Sequence, residues 1–106
     1  MSVPAWFARG VFRVQEWAMH RPTWAVLAEL ERTQWLSRDA MAEYQRVRLN
    51  GFMASALLHS PWHAARIRAA GLEDAVGQGA LTLADLAELP TMDKRDARDN
   101  VEQLVW

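Results

Sequence analysis

The sequence predicts an all-α protein, a small irregular bundle of about four to five helices with a helical hairpin at its centre. Three observations predict it. Apolar side chains recur at spacings of three and four through most of the 106 residues, which is the period of an amphipathic helix. Residues suited to capping stand where those runs begin and end. No stretch alternates apolar and polar residues beside a second such stretch, so no strand has a partner.

The first helix is expected over Val3 to His20. Pro4 suits a first helical turn, and Trp6, Phe7, Val11, Val14, Trp17 and Ala18 recur along one side. Arg9 and Arg13 share a different side, with no acid before Glu16. His20-Arg21-Pro22-Thr23 breaks the run, because a proline disfavours helix in the residue before it. Thr23 is placed to cap a short second helix, Trp24 to Gln34, with Trp24, Leu27 and Leu30 on one side.

The central hairpin is read over Ser37 to Gly71. Ser37 is a good N-cap, and Leu36 and Met41 stand at the positions of a hydrophobic staple. Met41, Tyr44, Val47, Phe52, Met53, Ala56 and Leu57 give one broad apolar face. Asn50-Gly51 reads as a weak point, a kink or a close helix crossing. Ser60-Pro61 stops this helix and starts the next, with Ser60 as N-cap and Pro61 at N1, where its missing N–H costs nothing. Trp62, Ala65, Ile67 and Ala69 supply the apolar part of that second helix. Gly71 ends it, as the residue best able to take a left-handed backbone.

Gly71 to Leu81 is expected to be the least ordered stretch, with Gly77 and Gly79 and few large apolar groups. Thr82-Leu83-Ala84-Asp85 has the pattern of a capping box for a short helix through Glu88, with Leu83 and Leu86 pointing inward. Leu89-Pro90 closes it. Asp93 caps a charged helix from Lys94 to about Asn100. Val101 to Trp106 is apolar again, either continuing the helix or extended.

Composition narrows the function. A net charge of −1 argues against a nucleic acid partner, whose phosphates call for a clear basic excess. The absence of cysteine excludes disulfides and thiolate metal sites and fits a reducing cytoplasm. No apolar run approaches the roughly 20 residues of a membrane span, and no segment has the pattern of a secretory signal. The six tryptophans admit two readings: a core anchor in each helix, or a surface that docks on something else. Trp106 at the last position favours the second at that end, and the chain is expected to be cut from a longer one.

No assembled chemistry is legible. His59 and His63 are four apart, but Pro61 starts a new helix between them and no third ligand lies nearby, so a zinc site is not expected. Helix-end contact suits His59, and a packed or half-exposed ring suits His63. Gly77-Gln78-Gly79 lacks the length and the following helix of a phosphate cradle. The charges of Asp93 to Asp99 read as a solvated face with i,i+4 partners such as Arg95 and Asp99. No catalytic, cofactor-binding or metal-binding residue is assigned. The first helix could lie on a membrane surface, but its polar face carries few charges for anchoring, which makes packing on the bundle the favoured reading.

Three segments in order resemble a known family. They are Gln45 to Leu72 (QRVRLNGFMASALLHSPWHAARIRAAGL), the LADLAELP segment ending at Pro90, and TMDKRDARDN from Thr91 to Asn100. Their order and spacing resemble the N-terminal helical region of adenylate-forming enzymes of the phenylacetate–CoA ligase type, a group that includes coenzyme F390 synthetase and CapK-like proteins. The corner His59-Ser60-Pro61-Trp62-His63 departs from the family pattern by placing His63 where a tyrosine is usual. Met92-Asp93-Lys94 is closest to the less studied adenylate-forming branch. The resemblance covers about residues 30 to 105.

The length of 106 residues predicts a single helical domain over residues 1–106, and the resemblance implies that it is the N-terminal cap of a cytoplasmic ligase-like enzyme that joins ATP and a carboxylic acid into an acyl-adenylate with Mg²⁺. In this family the ATP loop, the acid pocket and the C-terminal lysine lie beyond the segment seen here, so the chain alone is expected to be inactive. Lys94 matches a lysine that the family keeps. The expected partners are the rest of such a ligase or a second copy held through exposed tryptophans, with no nucleic acid. A free-standing helical interaction or dimerisation module is the alternative.

Overall fold

Among residues 2–106, which the computed structural model describes, there are eight helices and no strand. The all-α expectation is met, and three elements of only four or five residues each bring the helix count above four to five. The helices group into two compact units, one up to Arg38 and one over Asp39–Trp106.

The first unit holds α1 (Ala5–Ala18) and α2 (Thr23–Thr33). Pro4 precedes α1, and its carbonyl accepts from the Phe7 and Ala8 N–H groups at 3.0 and 3.1 Å. At the other end His20 takes a left-handed backbone (φ 53°). The His20 N–H then reaches Trp17 and the Arg21 N–H reaches Glu16, which closes a Schellman turn. Thr23 does not cap α2. It is the first helical residue after Pro22, and its hydroxyl instead donates to the Glu16 carboxylate. That carboxylate is 3 % exposed and also accepts from Arg21 at 3.4 Å. A buried carboxylate needs such partners, since unpaired it carries a large desolvation cost. Phe12 meets Trp24 edge-on at 6.0 Å, and the Arg13 guanidinium lies 4.6 Å over the Trp24 ring.

The second unit is built on α3 (Arg38–His59), whose first residue belongs to the other unit by one position, and α4 (Pro61–Ala69). Ser37 stands immediately before α3. The corner forms as its chemistry predicts: the Ser60 hydroxyl accepts from the His63 N–H, with Pro61 at the first position of α4. Gly71 (φ 72°) ends α4. The Gly71 N–H reaches Arg68 and the Leu72 N–H reaches Ile67, a second Schellman turn. It sets Leu72 against Ile67 in the core.

The stretch after Gly71 overturns the expectation of least order. It forms α5 (Glu73–Gly77), and Leu72, Val76 and Leu81 join Met53 and Ile67 as the buried cluster of the protein. Leu81 is 0 % and Ile67 1 % exposed. Each such side chain contributes about 1.5–3 kcal/mol on leaving water. Composition hid this, because three aliphatic residues among small and polar ones are enough when each faces inward.

Asn50 corrects a second expectation. α3 runs unbroken through Asn50-Gly51, and nothing approaches the open side of Gly51 within 4 Å. Asn50 is a clamp. Its Oδ1 accepts from the Leu81 N–H at 2.8 Å, and its Nδ2 donates to the Leu81 carbonyl at 2.9 Å and the Arg46 carbonyl at 2.8 Å. One turn earlier the Arg46 guanidinium donates to the Gly79 carbonyl at 2.9 Å while also pairing with Glu43. These two side chains pair the backbone that carries Leu81 into the core, which would otherwise be orphaned.

Three short helices complete the unit: α6 (Leu83–Leu86), α7 (Lys94–Asp99) and α8 (Val101–Leu104). Both expected caps form reciprocally, Thr82 with Asp85 and Asp93 with Asp96. Leu83 is exposed and Leu86 only partly covered, so neither is the inward anchor expected of it. Likewise Ala64, not Ala65 or Ala69, joins Ile67 as the buried pair of α4, and Val47 and Phe52 lie on the exposed side of α3. The Ser60 hydroxyl, 1 % exposed, donates to the Gln103 carbonyl at 2.9 Å and fixes α8 to the corner. The tail beyond Leu104 turns extended at Val105.

Candidate functional site

The residues that carry the chemistry-bearing readings lie mainly around the α3–α4 corner. His59, at the end of α3, stacks on the Trp106 ring at 6.2 Å with 22° between planes. His63, in the first turn of α4, meets Trp62 edge-on at 5.0 Å. The Arg66 guanidinium lies 4.5 Å over the other partner in that pair, the Trp62 ring. Burial, and then the charge of Arg66, hold the His63 imidazole below its ordinary pKa. Its ring is thus neutral at physiological pH. The two histidines serve separate packing contacts, and among the described residues no three acidic or histidine side chains group to hold a metal ion.

A cleft of about 180 Å³ opens beside this corner. Phe52, Met53 and Ala56 of α3, His63, Arg66 and Ile67 of α4, and Leu86 and Leu89 line it. It is largely apolar, and its two polar side chains, Arg66 and His63, are both held against Trp62. That is a recess for an apolar side chain rather than a site with converging polar groups.

Lys94 opens α7 directly after the Asp93 cap and is exposed. The Gly77-Gln78-Gly79 segment is committed to ending α5: Gly79 takes φ 65°, its N–H reaches Val76 and the Ala80 N–H reaches Ala75. Its backbone donors are therefore spent within a helix C-cap, and these residues do not fit the phosphates of ATP.

None of the six tryptophans is buried, so the reading of one core anchor per helix is replaced. Trp6 and Trp17 are 76 % and 78 % exposed. Trp35 and Trp106 are exposed too, while Trp24 and Trp62 are half-buried under arginines. With Phe7, Val11 and Val14, the α1 tryptophans form an apolar arc turned away from Phe12 and Glu16, the residues that meet Trp24 and Thr23. This arc is the largest uncommitted feature of the first unit. The periodicity of residues 6–18 located it, but periodicity alone could not tell a core face from a bare one.

No family model, no curated protein and no solved structure matches this chain.

Proposed function

We propose that the chain is a non-catalytic helical scaffold: the N-terminal cap of an adenylate-forming, acid–CoA ligase-like enzyme. The observation that supports it is a coincidence of boundaries. The stretch that carries the resemblance, about residues 30 to 105, is nearly the compact unit Asp39–Trp106. Its three segments become the α3–α4 corner, the capped α6 turn ending at Pro90 and the Asp93-capped α7. In this reading the ATP, Mg²⁺ and acid sites belong to polypeptide outside these residues. The scaffold offers the α3–α4–α6 cleft and the Lys94 end of α7 for that polypeptide to pack on.

The reading is tested by reading the coding DNA past codon 106 and expressing the whole frame. A Ser/Thr/Gly-rich ATP loop soon downstream, and acid-dependent exchange of pyrophosphate into ATP by the full product, are expected. A stop codon directly after Trp106, with no such loop encoded nearby, would count against it.

The second reading is a free-standing interaction or dimerisation module, favoured by the exposed tryptophans. Light scattering separates the two: a monomer at all concentrations is expected of the scaffold, and a concentration-dependent dimer of the module.

A further inference from the structure

The ligase reading leaves α1 unexplained, because the resemblance begins near residue 30. We propose that α1 is an interfacial helix that lies on an anionic lipid surface, with its Trp6–Trp17 arc in the acyl boundary and its arginines at the headgroups.

The geometry carries this first. At 100° per residue, Trp6, Trp17, Val14, Phe7 and Val11 fill one continuous arc, with Gly10 inside it. All five side chains are at least half exposed. Trp6 and Trp17 stand at one edge of the arc, where amphipathic rings suit a headgroup boundary. Arg13 and then Arg9 flank the tryptophan edge of the arc.

Charge carries it second. Glu16 is the one acid of α1, and it is buried and occupied by Thr23 and Arg21. The exposed side chains of α1 are therefore cationic or uncharged. The first unit holds five arginines against three glutamates, whereas residues 39–106 hold seven basic against ten acidic residues. Glu29 is paired with Arg32, and Glu31 shares a surface groove with Arg9 and Arg13. The unit with the positive balance is thus the one bearing the apolar arc, the pairing that anionic lipid selects.

Area weighs against a second copy as the occupant. A helix of 14 residues is about 21 Å long. The strip that one helix face covers falls well short of the ~800 Å² per partner of a stable interface. A lipid surface sets no such threshold, since each side chain partitions separately.

The test uses the full chain in co-sedimentation with vesicles of phosphatidylcholine alone or mixed with phosphatidylserine. Partitioning onto the anionic vesicles at least tenfold above the neutral ones is expected, with a blue shift of tryptophan emission. Val14→Asp, at the middle of the arc and exposed, should cut partitioning more than tenfold while leaving the helical circular dichroism intact. Arg9→Gln should weaken it about fivefold. Leu58→Asp changes an exposed leucine of the second unit and should leave binding unchanged. The proposal is overturned if the chain stays in the supernatant with both vesicle types, or if Leu58→Asp lowers binding as much as Val14→Asp. It also falls if Val14→Asp merely dissolves a dimer seen by light scattering without any vesicle binding. Presence or absence of ATP-dependent activity in the full reading frame bears on none of these readouts.

Discussion

The two units keep opposite things inside. The second buries seven apolar side chains, Met53, Ala56, Ala64, Ile67, Leu72, Val76 and Leu81, and turns most of its charges outward. Among the described residues the first buries Glu16 and Thr33, and it leaves Trp6, Trp17, Trp35, Phe7 and its valines exposed. The polar contacts differ in kind too. In the second unit Asn50 bonds buried backbone, so its bonds serve the core. In the first the Glu16 knot replaces a core, and the Trp24 indole N–H is buried with no acceptor. Two helices joined by one aromatic contact, one cation–π contact and one buried carboxylate make a carrier for a surface. Three helices, α3 to α5, around a shared cluster make a body. The lesson is that apolar content alone does not make a core, since α1 carries six large apolar residues in 14 and buries none of them.

The sharpest way to break that contrast is to cut the core. Ile67→Ala should destabilise the second unit by about 3–4 kcal/mol, read as urea unfolding by circular dichroism. Phe12→Ala in the first should cost only about 1 kcal/mol, since Phe12 is 42 % exposed. Equal losses at the two sites would refute the claim that only one unit has a core.

Asn50→Ala follows at about 3 kcal/mol, because it strands both the N–H and the carbonyl of Leu81 in the interior. Amide exchange at Leu81 should accelerate before exchange at Ile67 does. If Leu81 stays protected, the clamp is dispensable and packing alone holds the segment.

Glu16→Ala should loosen the first unit by about 1–2 kcal/mol, by removing the acceptor for Thr23 and Arg21. The effect should be confined to amides of α1 and α2. Spread of faster exchange into α3–α5 would show that the two units do not melt separately.

The pH response sharpens the comparison. Because the folded state favours neutral His63, the unfolded chain takes up the proton first as pH falls through about 6.5. The stabilisation is fully present above that pH and is lost below it. A falling Tm between about pH 7.5 and pH 5.5 is expected, and His63→Gln should flatten the part that belongs to the second unit. The smallest effect is at Gly51. With open space around it, Gly51→Ala should stabilise α3 by about 0.5–1 kcal/mol, and a loss instead would reveal a hidden close approach.

Much of the local architecture was legible in the chain. Ser60-Pro61, Gly71, the Thr82–Asp85 box and the Asp93–Asp96 box each act across five residues or fewer of separation, so the pattern of neighbouring letters contains the whole interaction. The apolar arc of α1 was equally visible. What was misread shares one property: its partner is distant. Asn50 looks like a flaw beside Gly51 until Leu81, 31 residues away, is placed against it. Leu72, Val76 and Leu81 look sparse until Met53 and Ile67 close over them. Leu83 looks inward by spacing, yet the core is already filled. No candidate catalytic constellation was read from the chain, and His59 and His63 lie in separate ring contacts.

The sequence by itself determined that this protein is helical, where its corners fall and which helix is amphipathic, because those follow from backbone preferences and contacts within one turn. Only the tertiary structure decided which apolar faces become interior. That choice depends on which surfaces meet, and the second unit has enough converging aliphatic side chains to close a core, while the two helices of the first do not.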